Sequence, residues 1–502
     1  MPTTGTTAGT TTGPAAAPVE ERVRAAFAAG AAIDLREGPD EDVRAGGGWG
    51  EERTVPARLL RELLLGDAPG ALRLAGARIT GALDLGDGAV AHAVMFTGCH
   101  FEEPVVLRGA SMRSTGLVGC LVPGLDGWLL KVDGNLFFEN SVIDGRLTLT
   151  RAHVTGELRL SGARLTAREL LDGGQPAEGQ DVWALWAGGM VLDGGFFARH
   201  GFVARGGLRL VGAQFNGGLF MERAVLDNPG REAFSGDDLS ATTMVLADGF
   251  VARGAVRLPG ASVRSLLSLD RAVLDGGLHA GRLQAGDLRL TVAATPTGPV
   301  DLEEAQAAVL HDNEHSWPAD TRLDGFTYTS IHRPSGASDP VGRRLAWLAA
   351  LPGYAPQPYE QLAAWYRKIG HDDDARRVLL AKQRRRRRTL GPLGRAWGRL
   401  LDVTVGYGYR PWQAGVWLLV LTAAGTVLFR HGHPTPVQAG QAPPFSAFVY
   451  TLDLLVPIGG FGQRTAWYWT DYHQSVGYAL IAAGWVLTTA VLAGVSRSLN
   501  RA

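Results

Sequence analysis

Apolar residues return at fixed positions every eleven residues along much of this chain. The clearest stretch, residues 145–166, reads GRLTLTRAHVT and then GELRLSGARLT. Within each unit position 1 is usually Gly, positions 3 and 5 are aliphatic, position 8 is small and position 10 is apolar. Because successive side chains of a strand point to opposite faces, positions 3 and 5 share one face of a short strand, and positions 8 and 10 share one face of the next. The odd step from 5 to 8 predicts a corner at positions 6 and 7.

Two units together, roughly 22 residues, predict one coil of a four-sided β-solenoid in which each coil rests on its neighbours. Ordinary β-hairpins would not keep the period for three consecutive units, as residues 134–166 and 254–286 do. We therefore expect a mainly β fold, with the solenoid covering residues 70–331. A weaker last copy ends in Leu323, Phe326 and Tyr328. The other units begin at Gly70, Gly81, His92, Glu103, Gly134, Gly145, Gly156, Gly206, Gly217, Gly254, Ser265, Gly276, Gly286 and Gly298.

The segments before and between the coils are assigned by spacing and composition. Helical spacing in 19–32 and 56–65 predicts helices that cap the first coil within residues 19–69, because an open end would expose unpaired strand edges. The period breaks at 172–181 and 227–240, which are polar and Gly-rich. We predict loops that leave the coil there, and such loops are good candidates for binding.

Beyond the solenoid the apolar spacing becomes helical. Residues 340–390 predict a helical hairpin, since PQPYEQLAAWYRKIG has Pro in its first turn and Gly as a stop, and HDDDARRVLLAKQ restarts with acidic residues suited to a helix N-terminus. The hairpin ends in five consecutive arginines, for which we expect either contact with anionic lipid headgroups or a role as topology signal alone. They are Arg384, Arg385, Arg386, Arg387 and Arg388.

Residues 391–502 predict a membrane domain with two transmembrane helices. Residues 412–429 and 476–495 carry no charge, and each stretch is long enough to cross a bilayer. Basic residues cluster before the first span and after the second. The positive-inside rule therefore places both termini and the solenoid on the cytoplasmic side, with residues 430–475 as the outer loop. The lipid bilayer is then one expected partner.

Composition narrows the classes of function. The 502 residues carry 49 Lys and Arg against 49 Asp and Glu, and this balance argues against a generally nucleic-acid-binding surface. Two cysteines do not indicate a secreted disulfide scaffold. Residues 1–18, rich in Thr, Gly, Ala and Pro, predict a disordered tail without the features of a signal peptide.

Several segments together resemble a bacterial family. The cues are WGEERTVPARLLRELL, the GALRLAGARITGALDL units, RLDGFTY, PQPYEQLAAWYRKIGHDDDAR and the two-span tail. The solenoid is similar to those of pentapeptide-repeat proteins, but its period is eleven and it lacks their regular Asp or Asn before the central Leu. Chains of this kind are commonly labelled membrane-associated oxidoreductase. The resemblance implies redox chemistry at the bacterial inner membrane, and it supplies no catalytic residue.

No cofactor motif supports the redox label. Dinucleotide binding requires G-x-G-x-x-G between a strand and a helix, and the GGGWG of residues 46–50 has neither that spacing nor that context. The sequence contains no P-loop. Catalytic residues stay unknown and no cofactor is identified, so the sequence leaves open whether the protein is an enzyme.

Cys99 and Cys120 are the candidate redox pair. Cys99 is position 8 of the unit that begins at His92, and with one residue deleted after Arg113, Cys120 is also a position 8. The two would then stack in adjacent coils about 4.8 Å apart, within reach of a disulfide. The alternative is a pair of small buried core residues, because position 8 points inward and a redox pair needs an exposed, activated thiolate.

Two groups of histidines are weak evidence for a metal. Residues 311–315 read HDNEH, which binds zinc when it lies on a helix, with the Glu as base. Here the motif follows a solenoid unit and precedes a Trp-Pro pair, so we expect an accidental match. His431 and His433 stand one residue apart in the outer loop, where such spacing means little. No metal site is predicted.

The outer loop contains a mostly apolar segment, residues 445–462, which is too short to cross a bilayer. It ends in Gly460, Phe461 and Gly462. A short helix followed by Gly-Phe-Gly between two spans is the layout of a potassium-channel pore, although the preceding Ile-Gly departs from the Thr-Val that begins such a filter. A segment packed in or on the membrane interface is the alternative.

Together these patterns predict a cytoplasmic β-solenoid held at the inner membrane by a helical hairpin and two spans. A binding or scaffolding role follows, with a protein partner of the solenoid and no nucleic acid. An oxidoreductase and a two-span pore-loop channel are the two alternatives. A cofactor spectrum would identify the first, and ion flux into liposomes would identify the second.

Overall fold

A computed structural model describes most of the chain and divides it into two compact units. The first comprises Met1–Pro340 and Ala350–Pro352, and the second comprises Val341–Ala349 and Gly353–Ala502. The described residues are 17–38, 41–67, 69–173, 180, 182–332, 339–405, 412–438, 440–456 and 460–499.

The first unit is a β-solenoid of about 12 turns, which confirms the predicted mainly β fold. A coil offers four strand positions, and each strand pairs in parallel with the strand at the same position of the next coil. Leu136, for example, pairs with Leu158, and Leu158 pairs with Phe196. The four positions form four faces, numbered here in the order in which the chain visits them.

The strands of faces 1 and 3 lie opposite one another. Face 1 contains Ala32–Asp34, Leu72–Ala75, Val94–Thr97, Leu158–Arg159, Phe196–Phe197 and Leu219–Phe220. Face 3 contains Val105–Val106, Leu125–Asp126, Leu147–Thr148, Trp183–Trp186, Gly207–Arg209, Leu278–His279, Val300–Asp301 and Thr321–Arg322.

Faces 2 and 4 complete the coil. Face 2 contains Thr54–Pro56, Arg78–Thr80, His100–Phe101, Leu121–Val122, Val142–Asp144, Arg164–Thr166, Val203–Arg205 and Val273–Leu274. Face 4 contains Ala89–Val90, His153–Val154, Val191–Leu192 and Gln214–Phe215. Longer strands turn the corner from face 4 to face 1 at Ser111–Val118, Lys131–Phe137, Ser240–Val245, Ser262–Ser268, Gln284–Arg289, Gln306–His311 and Thr327–Ile331. Two turn from face 2 to face 3, Val225–Ser235 and Val251–Arg257.

The eleven-residue pattern marks the side chains that fill the solenoid. In the unit that begins at Gly145, positions 3, 5, 8 and 10 are Leu147, Leu149, Ala152 and Val154, and all four are fully buried. Position 7 of the same unit, Arg151, has a φ of 55°, a left-handed conformation that turns the chain. The predicted corner at positions 6 and 7 is therefore observed.

Glycine is favoured at position 1 because stacked corners bring backbones into contact. The amide N–H of Gly156 donates to the carbonyl oxygen of Gly134, and the N–H of Gly194 donates to that of Gly156. A Cβ atom on Gly194 would lie 2.3 Å from the Gly156 carbonyl oxygen. A larger residue at this corner would therefore push adjacent coils apart.

The strand register explains the irregular units. The pairing between Lys131–Phe137 and Ser111–Val118 shifts after the pair Asp133–Arg113, so the residue missing after Arg113 lies where the sequence placed it. Leu147 pairs with Leu185, which confirms extra residues between these coils. The predicted loop at 172–181 falls largely outside the described residues, apart from a 3₁₀ turn at Arg168–Gly173.

The predicted loop at 227–240 is wrong. Val225–Ser235 is a continuous strand that pairs with Val251–Arg257 on both sides of a register shift between Asp227 and Glu232. The side-chain Nδ2 of Asn228 donates to the backbone carbonyl oxygen of Glu232 at 2.7 Å. This hydrogen bond holds the extra residues together as a bulge. The bulge breaks the sequence period without breaking the sheet.

The N-terminal segment contributes strands as well as helices to the first coil. Helices α1 (Val19–Ala29) and α2 (Ala57–Leu65) bury their apolar faces against it. Two strands that the helical spacing did not predict, Ala32–Asp34 and Thr54–Pro56, pair in parallel with Leu72–Ala75 and Arg78–Thr80. The strand edges of the first coil are thus covered on two faces.

The second unit is helical. Its helices are α3 (Pro340–Ala350), α4 (Gln357–Lys368), α5 (Asp372–Thr389), α6 (Pro392–Val405), α7 (Trp412–Arg430), α8 (Ala447–Leu455), α9 (Gln463–Ala466) and α10 (Tyr472–Leu499). A small antiparallel pair joins Thr435–Pro436 to Trp467–Tyr468. Helices α4 and α5 pack against each other, with an ion pair between Lys382 and Glu360.

Helices α7, α8 and α10 pack around a buried aromatic cluster that contains Phe429, Tyr450 and Trp469. Glycines allow close approach, since a Cβ on Gly484 would lie 2.2 Å from the Leu455 carbonyl oxygen. Within the described residues one helix, Trp412–Arg430, is long and apolar enough to cross a membrane. The second predicted span, 476–495, falls in α10, whose side chains from residue 490 onward lie outside the described part.

Candidate functional site

Cys99 and Cys120 occupy the same position in adjacent coils of the solenoid. Both are free and fully buried. The backbone N–H of Cys99 donates to Cys120 Sγ at 3.4 Å, and the N–H of Cys120 donates to Ser141 Oγ at 3.0 Å. The side chain at position 8 of one coil thus accepts a hydrogen bond from the backbone N–H at position 8 of the preceding coil. This contact satisfies a buried N–H group.

Burial also shapes the chemistry of these thiols. Removal from water raises the pKa of Cys120, because the thiolate loses its hydration. The Cys99 thiol donates a hydrogen bond to the Leu74 carbonyl oxygen, with 3.4 Å between Sγ and the oxygen. Both thiols lie in the core, and the geometry provides no exposed thiolate of the kind that redox catalysis requires.

The HDNEH motif does not form a helical zinc site. His311 ends the strand Gln306–His311, and His315 lies in the turn that follows. The His311 ring stacks on His332 with 4.5 Å between centroids, and burial lowers the pKa of His311. In the part of the chain that the structure describes, no group of three or more His, Cys, Asp or Glu residues is placed to hold a metal ion.

The Gly-rich stretch 46–50 has a packing role. Its first three residues belong to a 3₁₀ turn, Val43–Gly48, that lies against face 2 of the solenoid, where His100 Nδ1 is 3.0 Å from the Val43 carbonyl oxygen. A Cβ on Gly46 would lie 2.4 Å from that of His100. Close approach to the sheet therefore accounts for this glycine.

The five arginines of α5 fall into two groups. Arg384 and Arg387 both bind the carboxylate of Asp402 on α6, at 3.0 and 3.1 Å, and Arg385 donates to the Gly353 carbonyl oxygen at 3.1 Å. Arg386 and Arg388 are exposed, and neither forms an ion pair within the described residues. Part of the run therefore fastens α5 to neighbouring segments, and part of it faces solvent.

Gly460, Phe461 and Gly462 follow α8, and residues 457–459 before them lie outside the described part. The Phe461 and Arg464 backbone N–H groups donate to the two carboxylate oxygens of Asp453, at 2.9 and 2.8 Å. Asp453 is 1 % exposed. A buried carboxylate thus fixes the path of the chain after the short helix.

Exposed apolar side chains are distributed unequally between the two units. Among the described residues of the solenoid, Trp128 is the single large hydrophobic residue that is exposed, with 39 % of its surface accessible to solvent. The helical unit exposes many more, and several lie on α7 and α10. These are Trp412, Val416, Leu419, Val420, Val427, Tyr472, Tyr478, Trp485 and Val486.

Trp128 belongs to a patch on face 3 that combines tryptophan with arginine. We call Arg108, Trp128, Arg146, Trp186 and Arg209 the tryptophan face. The Arg108 guanidinium lies 5.8 Å from the Trp128 ring centroid, and those of Arg146 and Arg209 lie 4.7 and 5.6 Å from the Trp186 ring. Such contacts hold both rings at the surface.

The insertion between coils borders the tryptophan face. Arg146 donates to Glu169 Oε1 at 2.8 Å, and Glu169 lies in the 3₁₀ turn Arg168–Gly173. Glu169 Oε2 and the indole nitrogen of Trp186 are buried, and neither forms a hydrogen bond with any residue that the structure describes. The break in the period that the sequence singled out therefore contributes a residue, Glu169, to the border of the tryptophan face.

Sequence reasoning missed the tryptophan face because its members occupy outward positions, which follow no repeat. The strand register brings the members of this face together. Trp128 is the fourth residue of its face-3 segment, and Arg108 occupies the same position one coil earlier. No family model, no curated protein and no solved structure matches the chain. These comparisons give no support to the pentapeptide-repeat or oxidoreductase labels.

Proposed function

We propose that the chain is a membrane-anchored scaffold whose solenoid binds a protein partner. The contrast between the two surfaces carries this proposal: the described solenoid exposes one large apolar side chain, Trp128, while α7 and α10 expose tryptophan, tyrosine, valine and leucine. Such an apolar surface is unfavourable in water and is suited to lipid. The solenoid provides the soluble binding surface and the helices provide the anchor.

The anchor in this proposal consists of α7 and α10. Support comes from the length and hydropathy of Trp412–Arg430, from aromatic side chains near its start, and from glycine-mediated packing of the kind found between membrane helices. Fractionation of cells that express the chain tests the anchor. The chain should stay in the membrane pellet after alkaline carbonate extraction, and its release into the supernatant would contradict anchoring.

The tryptophan face is the proposed docking site on the solenoid. Tryptophan and arginine are the residues most enriched among those that dominate binding energy at protein interfaces, and here five of them share one face. A photo-crosslinking residue at Trp128 should form a discrete protein adduct in native membranes. The same residue at Gln284, exposed on a different face, is the matched control. Equal adducts at both positions, or none at Trp128, would contradict the assignment.

A pore is the second candidate function. Two observations favour it. The short helix α8 packs against both α7 and α10, and Asp453 accepts a hydrogen bond from the backbone N–H of Phe461 in the segment that follows α8. Potassium flux into liposomes that contain the purified chain tests it. Flux that Asp453→Ala abolishes would support a pore, and the absence of flux from a correctly inserted chain would exclude it.

A further inference from the structure

The turn between α5 and α6 exposes leucines and arginines side by side. Leu393 is 87 % exposed and Leu390 is 41 % exposed, and Arg386, Arg388 and Arg395 around them are exposed as well. We call these five residues the basic tip. Within the described residues, none of the three arginines forms an ion pair, so their charge is available to an external partner.

The neighbouring arginines show that this availability is specific to the tip. Arg384 and Arg387, on the same helix, both form ion pairs with Asp402, whose carboxylate contacts both guanidinium groups. These pairs clamp α5 to α6 and thereby hold the turn between them in place. The arginine run therefore combines a structural clamp with a separate exposed group, although the sequence shows one uniform stretch.

The basic tip lies within reach of the start of the proposed span. The Trp417 indole nitrogen of α7 donates to the Val403 carbonyl oxygen of α6 at 3.0 Å. Leu393 precedes Val403 by ten residues of the same helix, or about 15 Å along its axis. If α6 lies along the bilayer surface, the basic tip, about 15 Å along the helix from Val403, contacts the lipid headgroup region.

We propose that the basic tip inserts its two leucines into the cytoplasmic interface of an anionic bilayer, with the three arginines on lipid phosphates. This inference rests on the proposed membrane anchor. Exposed leucines flanked by basic residues are the composition of segments that lie in the interface. Each arginine near a negatively charged surface strengthens its binding about fivefold, so three arginines favour insertion by on the order of a hundredfold.

An environment-sensitive fluorophore at Leu393→Cys tests the proposal in the full chain, reconstituted into nanodiscs. The native cysteines are buried and leave the new thiol as the labelling site. We expect a blue-shifted, brighter emission in phosphatidylglycerol discs than in phosphatidylcholine discs, and quenching by lipids that carry a quencher near the headgroup. A probe at Arg264→Cys, exposed on the solenoid, should report water in both.

Charge variants separate specific contact from general attraction. Arg386→Gln, Arg388→Gln and Arg395→Gln together should abolish the difference between the two lipids. Removal of the same charge at the other end of the hairpin, by Arg367→Gln, Arg376→Gln and Arg377→Gln, should leave it intact. Equal losses from both triple variants would contradict a tip site.

Three further outcomes have distinct meanings. A probe that reports water in both lipids, in a chain correctly inserted in the disc, overturns the tip and leaves the anchor standing. A blue shift that appears only when a soluble protein is added indicates a protein partner and also overturns the lipid assignment. Failure of the chain to enter nanodiscs at all contradicts the proposed function itself.

Discussion

Leu160→Ala is the substitution that probes the solenoid core most directly. Leu160 is fully buried and stands level with Phe138 in the preceding coil and Ala198 in the next. The coils cannot close over the missing atoms, because backbone hydrogen bonds fix their spacing; the Leu160 N–H, for instance, donates to the Phe197 carbonyl oxygen at 2.7 Å. We expect a loss of about 3–4 kcal/mol in the free energy of unfolding, within the range for leucine truncations that leave a cavity.

Arg159→Ala, one residue earlier, is the matched control. Arg159 points outward, and its side chain is 44 % exposed and paired with Glu157 at 2.6 Å. Exposed pairs of this kind contribute less than about 1 kcal/mol. Arg159→Asp is a poorer control, because it would place a negative charge beside Glu157 and Glu139.

Urea unfolding of the full chain in detergent measures both variants, with hydrogen exchange as a local readout. Repeat proteins transmit stability between neighbouring coils, so exchange should accelerate most in the coil that contains Leu160 and in the coils that flank it. Equal shifts of the unfolding midpoint for Leu160→Ala and Arg159→Ala would refute the inward register of position 5 and the whole assignment built on it.

Three other predictions concern the cysteines, the N-terminal cap and the helical bundle. Cys99 and Cys120 should both be reduced and alkylated slowly in the native chain, and quickly after denaturation; rapid native labelling would contradict their burial. The hydrogen bond from Arg53 lowers the pKa of Glu41 below its ordinary 4.5, so the stabilisation from this carboxylate is complete above pH 4.5 and is lost as pH falls through the folded-state pKa. The protection of the cap amides, corrected for the intrinsic exchange rate at each pH, should fall on acidification below pH 4.5. Glu41→Gln, which should open the cap at every pH, should remove that dependence. Gly484→Val should lower the melting temperature of the helical unit because its side chain would collide with α8, whereas an exposed substitution on the same helix should not.

The sequence predicted the solenoid because its core positions are periodic. Leu158, Leu160, Ala163 and Leu165 recur at the spacing that two short strands and a corner require, and all are buried. The missing residue after Arg113 was also predictable, since it restored Cys120 to the pattern. The period failed at Asp227, where a bulge adds residues without ending the strand.

The candidate sites were less predictable because they depend on outward residues and on contacts between distant segments. Trp128 and Arg108 meet only through the register of adjacent coils. The clamp of Arg384 and Arg387 on Asp402 requires α6 to fold back on α5, and no local pattern in the arginine run distinguishes these two from Arg386. Charge composition alone therefore gave the same two alternatives, lipid contact or topology signal, for all five.

The membrane anchor is tested most directly by paired topology reporters. One reporter is fused after Ala502 and the other is inserted near Gly440, between α7 and α8, in otherwise identical chains. Two crossings, by α7 and α10, place the reporter near Gly440 on the outer side and the one after Ala502 in the cytoplasm. Reporters on the same side of the membrane would contradict the proposed anchor.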